Sequence, residues 1–201
     1  MFEMLFCGKP ASVGGQQLFT TAGTFSFVVP AGITELDAYT QGGGGGGGNG
    51  NPGVYKGASG GSGKVGANGY LNNISVTPGE TLTVIVGAAG AALKAGEATQ
   101  LLRGSNVLLA VAGGAAGVTA TGTSSSENNL GTSGTAAPTI PGNTTTYPAA
   151  NKRPGSGGNG GAGRYNGGGG IVTGPGIAGG CRLMWGKDRD YPSTGVADVK
   201  M

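Results

Sequence analysis

The stretch LDAYTQGGGGGGG, residues 36–48, decides the fold because an alternating segment runs directly into seven consecutive glycines. Apolar and polar residues alternate in its first half, which is typical of a half-buried β-strand. Glycine makes up 48 of the 201 residues, far above its usual share of roughly 7%. Glycine-dense sequence recurs four times along the chain, at residues 57–69, 113–117, 155–170 and 174–180.

Two structures compete for these glycine tracts. A flexible linker is one, because glycine-rich chain behaves as a random coil. A linker needs a domain on each side, however, and the tracts are separated only by short apolar strands. The other is polyglycine II, an extended helix with three residues per turn and a rise of about 3.1 Å per residue. Neighbouring glycine chains approach closely enough to pair their backbone groups. The sequence favours packed polyglycine II.

The apolar segments predict short β-hairpins. The alternating residues 24–29 lead through Pro30-Ala31-Gly32 into residues 36–40, and residues 73–77 lead through Pro78-Gly79 into residues 81–86. Proline and glycine suit the second and third positions of a type II turn. A third hairpin pairs residues 99–103 with 107–112. The fold class is therefore mainly β and irregular. Antiparallel hairpins support a packed polyglycine II sandwich with long surface loops and essentially no α-helix. Its small core draws on Phe25, Phe27, Val29, Leu82, Val84, Val86, Leu109, Val111 and Leu183, with Trp185 closing it.

The missing residue types argue against an enzyme. The chain has no histidine, which excludes histidine bases and histidine metal ligands. Its two cysteines, Cys7 and Cys181, lie far apart in sequence, so a zinc site is not expected. Asp188 and Asp190 flank Arg189 as solvated or paired charges, and a glycosidase would need two carboxyls facing one cleft. We expect no catalytic residue, metal or cofactor, no nucleic-acid binding at a net charge of +3, and no membrane insertion.

Aromatic and amide side chains in the loops are the candidates for binding. Tyrosine offers a large contact area at low entropic cost, and asparagine offers adaptable hydrogen bonds. Residues 118–150 form the longest segment without strand or glycine-tract character, and such loops are commonly functional or disordered. Each ring could equally lie over glycine backbone or be exposed without a partner. The receptor-contact candidates are Tyr55, Asn143, Tyr147, Arg164, Tyr165 and Asn166.

Several motifs together resemble the glycine-rich domains of tailed-phage fibre and adhesin proteins. GTFSFVVPAGIT at residues 23–34 resembles the family's opening strand, which a second strand and a polyglycine run follow. ISVTPGETLTVIVG at 74–87, VAGG at 111–114 and GGCRLMWG at 179–186 resemble its later strands. DYPSTGVAD at 190–198 is similar to a tail found on some phage members. The resemblance implies a layered polyglycine II sandwich whose variable loops contact host surface proteins.

The expected organisation has three parts: an attachment segment over residues 1–21, a glycine-rich domain over 22–186 with a variable loop at 118–150, and a tail over 187–201. Phe2, Leu5 and Phe6 belong to an apolar tip that cannot bury itself alone and are the candidates for assembly. The predicted function is a non-enzymatic virion protein, assembled in the host cytoplasm, that presents loops to a host outer-surface protein or polysaccharide. The alternative is a purely structural component, such as a fibre connector or a collar or capsid decoration. Partners would be other virion proteins or further copies of this chain.

Overall fold

A computed structural model describes residues 14–50, 60–120 and 174–186, and the described residues form strands and extended tracts without a helix. The strands build two four-stranded antiparallel sheets. The first sheet has the order β1-β8-β3-β4 and the second the order β2-β5-β6-β7. The strands are β1 (Gly15–Phe19), β2 (Gly23–Val28), β3 (Glu35–Gln41), β4 (Asn68–Ser75), β5 (Thr81–Val86), β6 (Thr99–Arg103), β7 (Asn106–Val111) and β8 (Gly180–Trp185).

The two sheets enclose one apolar core to which both contribute alternate residues. Phe27 and Leu82 come from the second sheet, and Leu36 and Leu183 from the first. Trp185 packs against this core, with its ring centroid 5.7 Å from that of Phe27. The mainly β fold is therefore confirmed, and so is the predicted place of Trp185. The core cluster contains Phe19, Phe27, Val29, Ile33, Leu36, Ala38, Ile74, Val76, Leu82, Val84, Val86, Leu101, Cys181 and Leu183.

Two of the three predicted hairpins are wrong, although their turns are right. β2 pairs with β5 and β3 pairs with β4 and β8, so residues 24–29 and 36–40 lie in different sheets. Residues 73–77 and 81–86 are likewise divided between the sheets. The turn between them forms as predicted, with the Glu80 amide donating to the Thr77 carbonyl (2.9 Å) and Gly79 at φ 81°. The turn sequence fixes the reversal of the chain, whereas the partner of each strand depends on which sheet buries its apolar side.

The third hairpin is confirmed. β6 and β7 pair in an antiparallel arrangement that begins at Arg103 opposite Asn106. Only Gly104 and Ser105 separate the two strands, and Gly104 has φ 58°. A glycine with positive φ at the first central position is what a type II′ turn requires, and this turn matches the twist of the strands it joins.

The tract Gly42–Gly48 is the centre of a packed glycine layer. All seven of its backbone amides donate hydrogen bonds, at 2.8–3.0 Å, and they do so with a period of three. Residues 42, 45 and 48 donate to segment 60–67, residues 43 and 46 to segment 94–98, and residues 44 and 47 to segment 174–179. A period of three with partners on separate sides is the geometry of polyglycine II. The random-coil alternative is therefore excluded for this tract.

The absence of side chains is what allows this packing. A Cβ added at Gly43, Gly45 or Gly46 would lie within 3.0 Å of a backbone carbonyl oxygen of a neighbouring tract. The hydrogen at each position instead faces that oxygen, which suits a Cα–H···O contact. Each position of this kind therefore requires glycine.

Candidate functional site

The glycine layer stands on one end of the sandwich. The chain leaves the sheets at Gln41, Val86 and Val111 and returns to them at Asn68, Thr99 and Gly180. The strand pairs Gln41–Asn68 and Gln41–Gly180 place an exit beside two returns. Thr99 joins the sandwich to the glycine layer. Its hydroxyl donates to the carbonyl of Gln41, the last residue of β3 (2.7 Å), and accepts from the amide of Gly87, which follows β5 (3.0 Å). The three excursions of the chain out of the sheets, which follow β3, β5 and β7, therefore begin and end on the same side of the glycine layer, called here its base.

The far end of the layer, called here the distal end, is where the two internal segments outside the described residues connect. The Gly48 amide donates to the Gly61 carbonyl (2.8 Å), next to the ends of segment 51–59. The Ala120 amide donates to the Asn49 carbonyl (2.9 Å), and the Gly47 amide donates to the Gly174 carbonyl (3.0 Å). All four points at which segments 51–59 and 121–173 join the described chain therefore lie together at the distal end.

The six receptor-contact candidates belong to these two segments and lie outside the described residues. Their chain positions require only that they connect to the distal end. The candidates are Tyr55 in segment 51–59, and Asn143, Tyr147, Arg164, Tyr165 and Asn166 in segment 121–173.

A described turn at the distal end adds a residue that sequence reasoning missed. The Lys94 amide donates to the Ala91 carbonyl (2.9 Å), which closes a four-residue turn with Leu93 at its third position. Leu93 has φ 62° and is 43% exposed. Positive φ is unusual for leucine and favours glycine or asparagine. An exposed apolar side chain on a backbone with positive φ, beside the points where segments 51–59 and 121–173 connect, is a candidate contact. The sequence GAALKAG at residues 90–96 gives no local signal of this role.

The opposite end of the sandwich holds the points where both chain termini connect. Gly15 of β1 is paired with Trp185 of β8. Trp185 lies at the end of β8 that is remote from the glycine layer, because the other end, Gly180, is paired with Gln41. The assembly candidates Phe2, Leu5 and Phe6 precede this point and lie outside the described residues. β1 belongs to the segment assigned above to attachment, yet its Phe19 packs in the core. The sandwich therefore includes residues 15–19.

The outer face of the first sheet, away from the core, carries buried polar and apolar side chains. Arg182 is 5% exposed and its guanidinium Nε donates to Gln16 Oε1 (2.8 Å). Asp37 accepts the Asn73 amide (2.8 Å) at a β-bulge, and Met184 beside it is fully buried. These outward-facing side chains are therefore shielded from solvent, unlike those on an ordinary exposed face of a sheet.

Two titratable groups of the described part have shifted pKa values. The Thr77 amide and the Arg103 guanidinium, the latter 2.5 Å from the carboxylate, lower the pKa of Glu80. Burial raises the pKa of the Cys181 thiol to about 12, so this thiol is unsuited to act as a nucleophile. Residues 14–50, 60–120 and 174–186 contain no cluster of acidic, histidine or cysteine residues that could hold a metal. No helix in that part of the chain has the length and apolarity needed to cross a membrane.

Comparison with known proteins identifies the family. No curated protein matches this sequence. The family model of the glycine-rich domain matches residues 20–197, which covers the described strands from β2 to β8 and all of the glycine tracts. The chain therefore belongs to the glycine-rich domain family.

Proposed function

We propose that this protein is a non-enzymatic virion component of a tailed phage, placed at a tail fibre or tail tip. Its distal loops would contact a receptor on the host surface. The phage assignment is supported by the sequence motifs at residues 23–34, 74–87 and 190–198. The observation that carries the proposed role is the polarity of the fold, in which the points where the terminal segments connect and the points where segments 51–59 and 121–173 connect lie at opposite ends.

This polarity suits attachment at one end and recognition at the other. An adhesin must join the particle without covering its contact surface. Here residues 1–13 and 187–201 connect at the sandwich end, whereas segments 51–59 and 121–173 connect at the distal end. Between the ends lies the glycine layer, whose central amides are all paired. Weak contacts made by several loops would be strengthened by multiple copies on one particle.

The test is adsorption of phage that carry a Tyr55→Ala, Tyr147→Ala, Tyr165→Ala triple variant. We expect adsorption to host cells to fall at least tenfold while the virions contain the usual amount of this protein. The matched control is Val28→Ala, which alters a side chain that is 59% exposed at the sandwich end. The control phage should adsorb like the parent.

Immunogold labelling of virions distinguishes the alternative. An antibody raised against residues 118–150 should label the distal ends of the fibres if the protein is an adhesin. Unchanged adsorption of the triple variant, together with label on the head, collar or tail shaft, would refute host recognition. That result would favour a structural component such as a fibre connector or a decoration protein.

A further inference from the structure

The outer face of the second sheet, on the side away from the core, is a four-stranded surface without charged residues. Strand alternation identifies this face, because Phe27, Leu82 and Leu101, each one position away in its strand, point into the core. Two rows of directly opposed residues cross all four strands from β2 to β7, and their side chains are exposed or half-buried. The first row is Ser26, Thr83, Leu102 and Val107, and the second is Thr24, Ile85, Gln100 and Ala110.

The charged side chains of the described part all belong to other surfaces. Arg103 pairs with Glu80 at 2.5 Å and also donates to the Ser75 carbonyl of the first sheet, so it points away from this face. The solvent face of an antiparallel sheet is normally polar, whereas the centre of a protein interface is depleted of charge. The face therefore has the composition of an interface centre. The remaining described charges lie on the glycine layer or in the first sheet, and they are Lys64, Lys94, Glu97, Glu35, Asp37 and Arg182.

The chemistry of the two rows makes this face complementary to itself. Half of the eight side chains are apolar, and Val107 is 48% exposed. The other half are three hydroxyls and one amide, and each of these groups can both donate and accept a hydrogen bond. A charged face would repel its own copy, whereas this face brings no like charges together. Self-complementarity is what a two-fold dimer requires, because the same patch then serves on both subunits.

The size of the face sets the strength of the contact. A sheet of four strands measures about 20 by 20 Å when the strands have five or six residues, at the usual strand spacing and rise. Two copies would together bury roughly 1,000 Å², which is the size of weak but specific complexes. We therefore expect an association that is reversible in solution and strengthened where copies are held close together on one particle.

We propose that the outer face of the second sheet is an interface between two copies of this chain, packed sheet on sheet at a spacing of about 10 Å. The first sheet does not offer an equivalent surface, because its outward-facing Arg182 and Met184 are already buried. The proposal concerns the assembly of the protein with itself. It holds whether or not the distal end binds a host receptor.

Sedimentation of the isolated full-length protein over a range of concentrations tests this interface. We expect the parent to show a reversible monomer–dimer equilibrium. Thr83 lies in β5, one of the two central strands of the sheet, so both copies of this residue fall near the centre of the contact. Thr83→Lys and Thr83→Glu each bring like charges together there, and each should raise the dissociation constant roughly tenfold or more. The matched control is Val65→Lys, which adds the same charge at a 51% exposed position on the glycine layer and should leave the dissociation constant unchanged.

Mixing the two charged variants separates a lost interface from a damaged fold. An equimolar mixture of Thr83→Lys and Thr83→Glu should associate again, because opposite charges then meet across the contact. A variant that failed to fold would not regain association in this way. Failure of the mixture to associate would overturn the proposal of a two-fold contact through this face.

Other results would also overturn the proposal. One is a parent that sediments as a monomer at every concentration up to about 1 mM, beyond which even weak dimers should form. Another is an equal loss of association in Thr83→Lys and Val65→Lys, which would place the contact elsewhere. A monomeric parent whose Thr83→Lys variant is missing from virions would assign the face to a different virion protein. None of these measurements involves adsorption to host cells, so failure here is distinguishable from failure of the proposed function.

Discussion

Replacing Thr99 with valine should destabilise the junction between the sandwich and the glycine layer. Valine has nearly the same shape, so the change removes one hydroxyl from a fully buried position. That hydroxyl donates to the Gln41 carbonyl at 2.7 Å and accepts from the Gly87 amide at 3.0 Å. Leaving a buried amide without a partner costs about 1–3 kcal/mol. We expect a loss of about 2 kcal/mol in the free energy of unfolding, or a melting temperature lower by about 4–8 °C.

Thr40, in β3 of the other sheet, provides a matched control. It is also fully buried, and its hydroxyl has no hydrogen-bond partner among the described residues. Removing a buried hydroxyl that has no partner relieves its desolvation cost, so Thr40→Val should be neutral or stabilise the protein by up to about 1 kcal/mol. Urea denaturation of both variants measures the difference. Equal effects of Thr99→Val and Thr40→Val would contradict the assignment of the Thr99 hydroxyl as the link between the layers.

Three further predictions concern the lattice, the charge pair and the buried thiol. Gly45→Ala should lower the free energy of unfolding by roughly 3 kcal/mol, because its Cβ meets the backbone of Ala115. Gly32→Ala, in an open turn at φ 78°, should lower it by only about 1 kcal/mol, and urea denaturation that finds equal losses would refute the close-packed lattice. The pKa of Glu80 is below its ordinary 4.5, so Glu80→Gln should cost about 1 kcal/mol at neutral pH. Melting curves should show this difference disappearing as the pH falls through the lowered pKa, and a difference that persists in acid would contradict the charge interaction. In a Cys7→Ser background, the thiol of Cys181 should react with an aromatic disulfide reagent only as fast as the protein unfolds, and rapid reaction of the native protein would contradict its burial.

The turns could be predicted from the sequence better than the strand partners. Pro78-Gly79 and Gly104-Ser105 specify backbone angles locally, and both turns form as the residue types require. Pairing depends on the sandwich as a whole. The chain crosses between sheets at residues 29–34 and 76–80 because each strand can then direct its apolar side into the shared core. An alternating pattern shows that a strand has one buried side but does not show which neighbour it pairs with.

The candidate site could be predicted only as a list of loop residues. Composition selected tyrosine and asparagine, whereas the topology shows that their two segments connect at one end of the molecule. No local pattern indicates this, because the hydrogen bonds that bring these connections together join residues far apart in sequence. They are the bonds of Gly48 with Gly61, of Ala120 with Asn49 and of Gly47 with Gly174. Leu93 escaped notice for a related reason. Its positive φ follows from the reversal of the chain within the lattice, and its side chain would not suggest that angle.

The combination of a β-sandwich with a glycine layer resolves a conflict that neither part could resolve alone. Ordering glycine costs more backbone entropy than ordering any other residue, so a free tract of seven glycines would stay disordered. Here each excursion begins and ends on a strand of the sandwich, so folding of the sheets brings the ends of every tract together. Each central amide then finds a partner on a neighbouring tract. Because the strands and the tracts supply this stability, changes in segments 51–59 and 121–150 should alter what the distal end contacts with little effect on the fold.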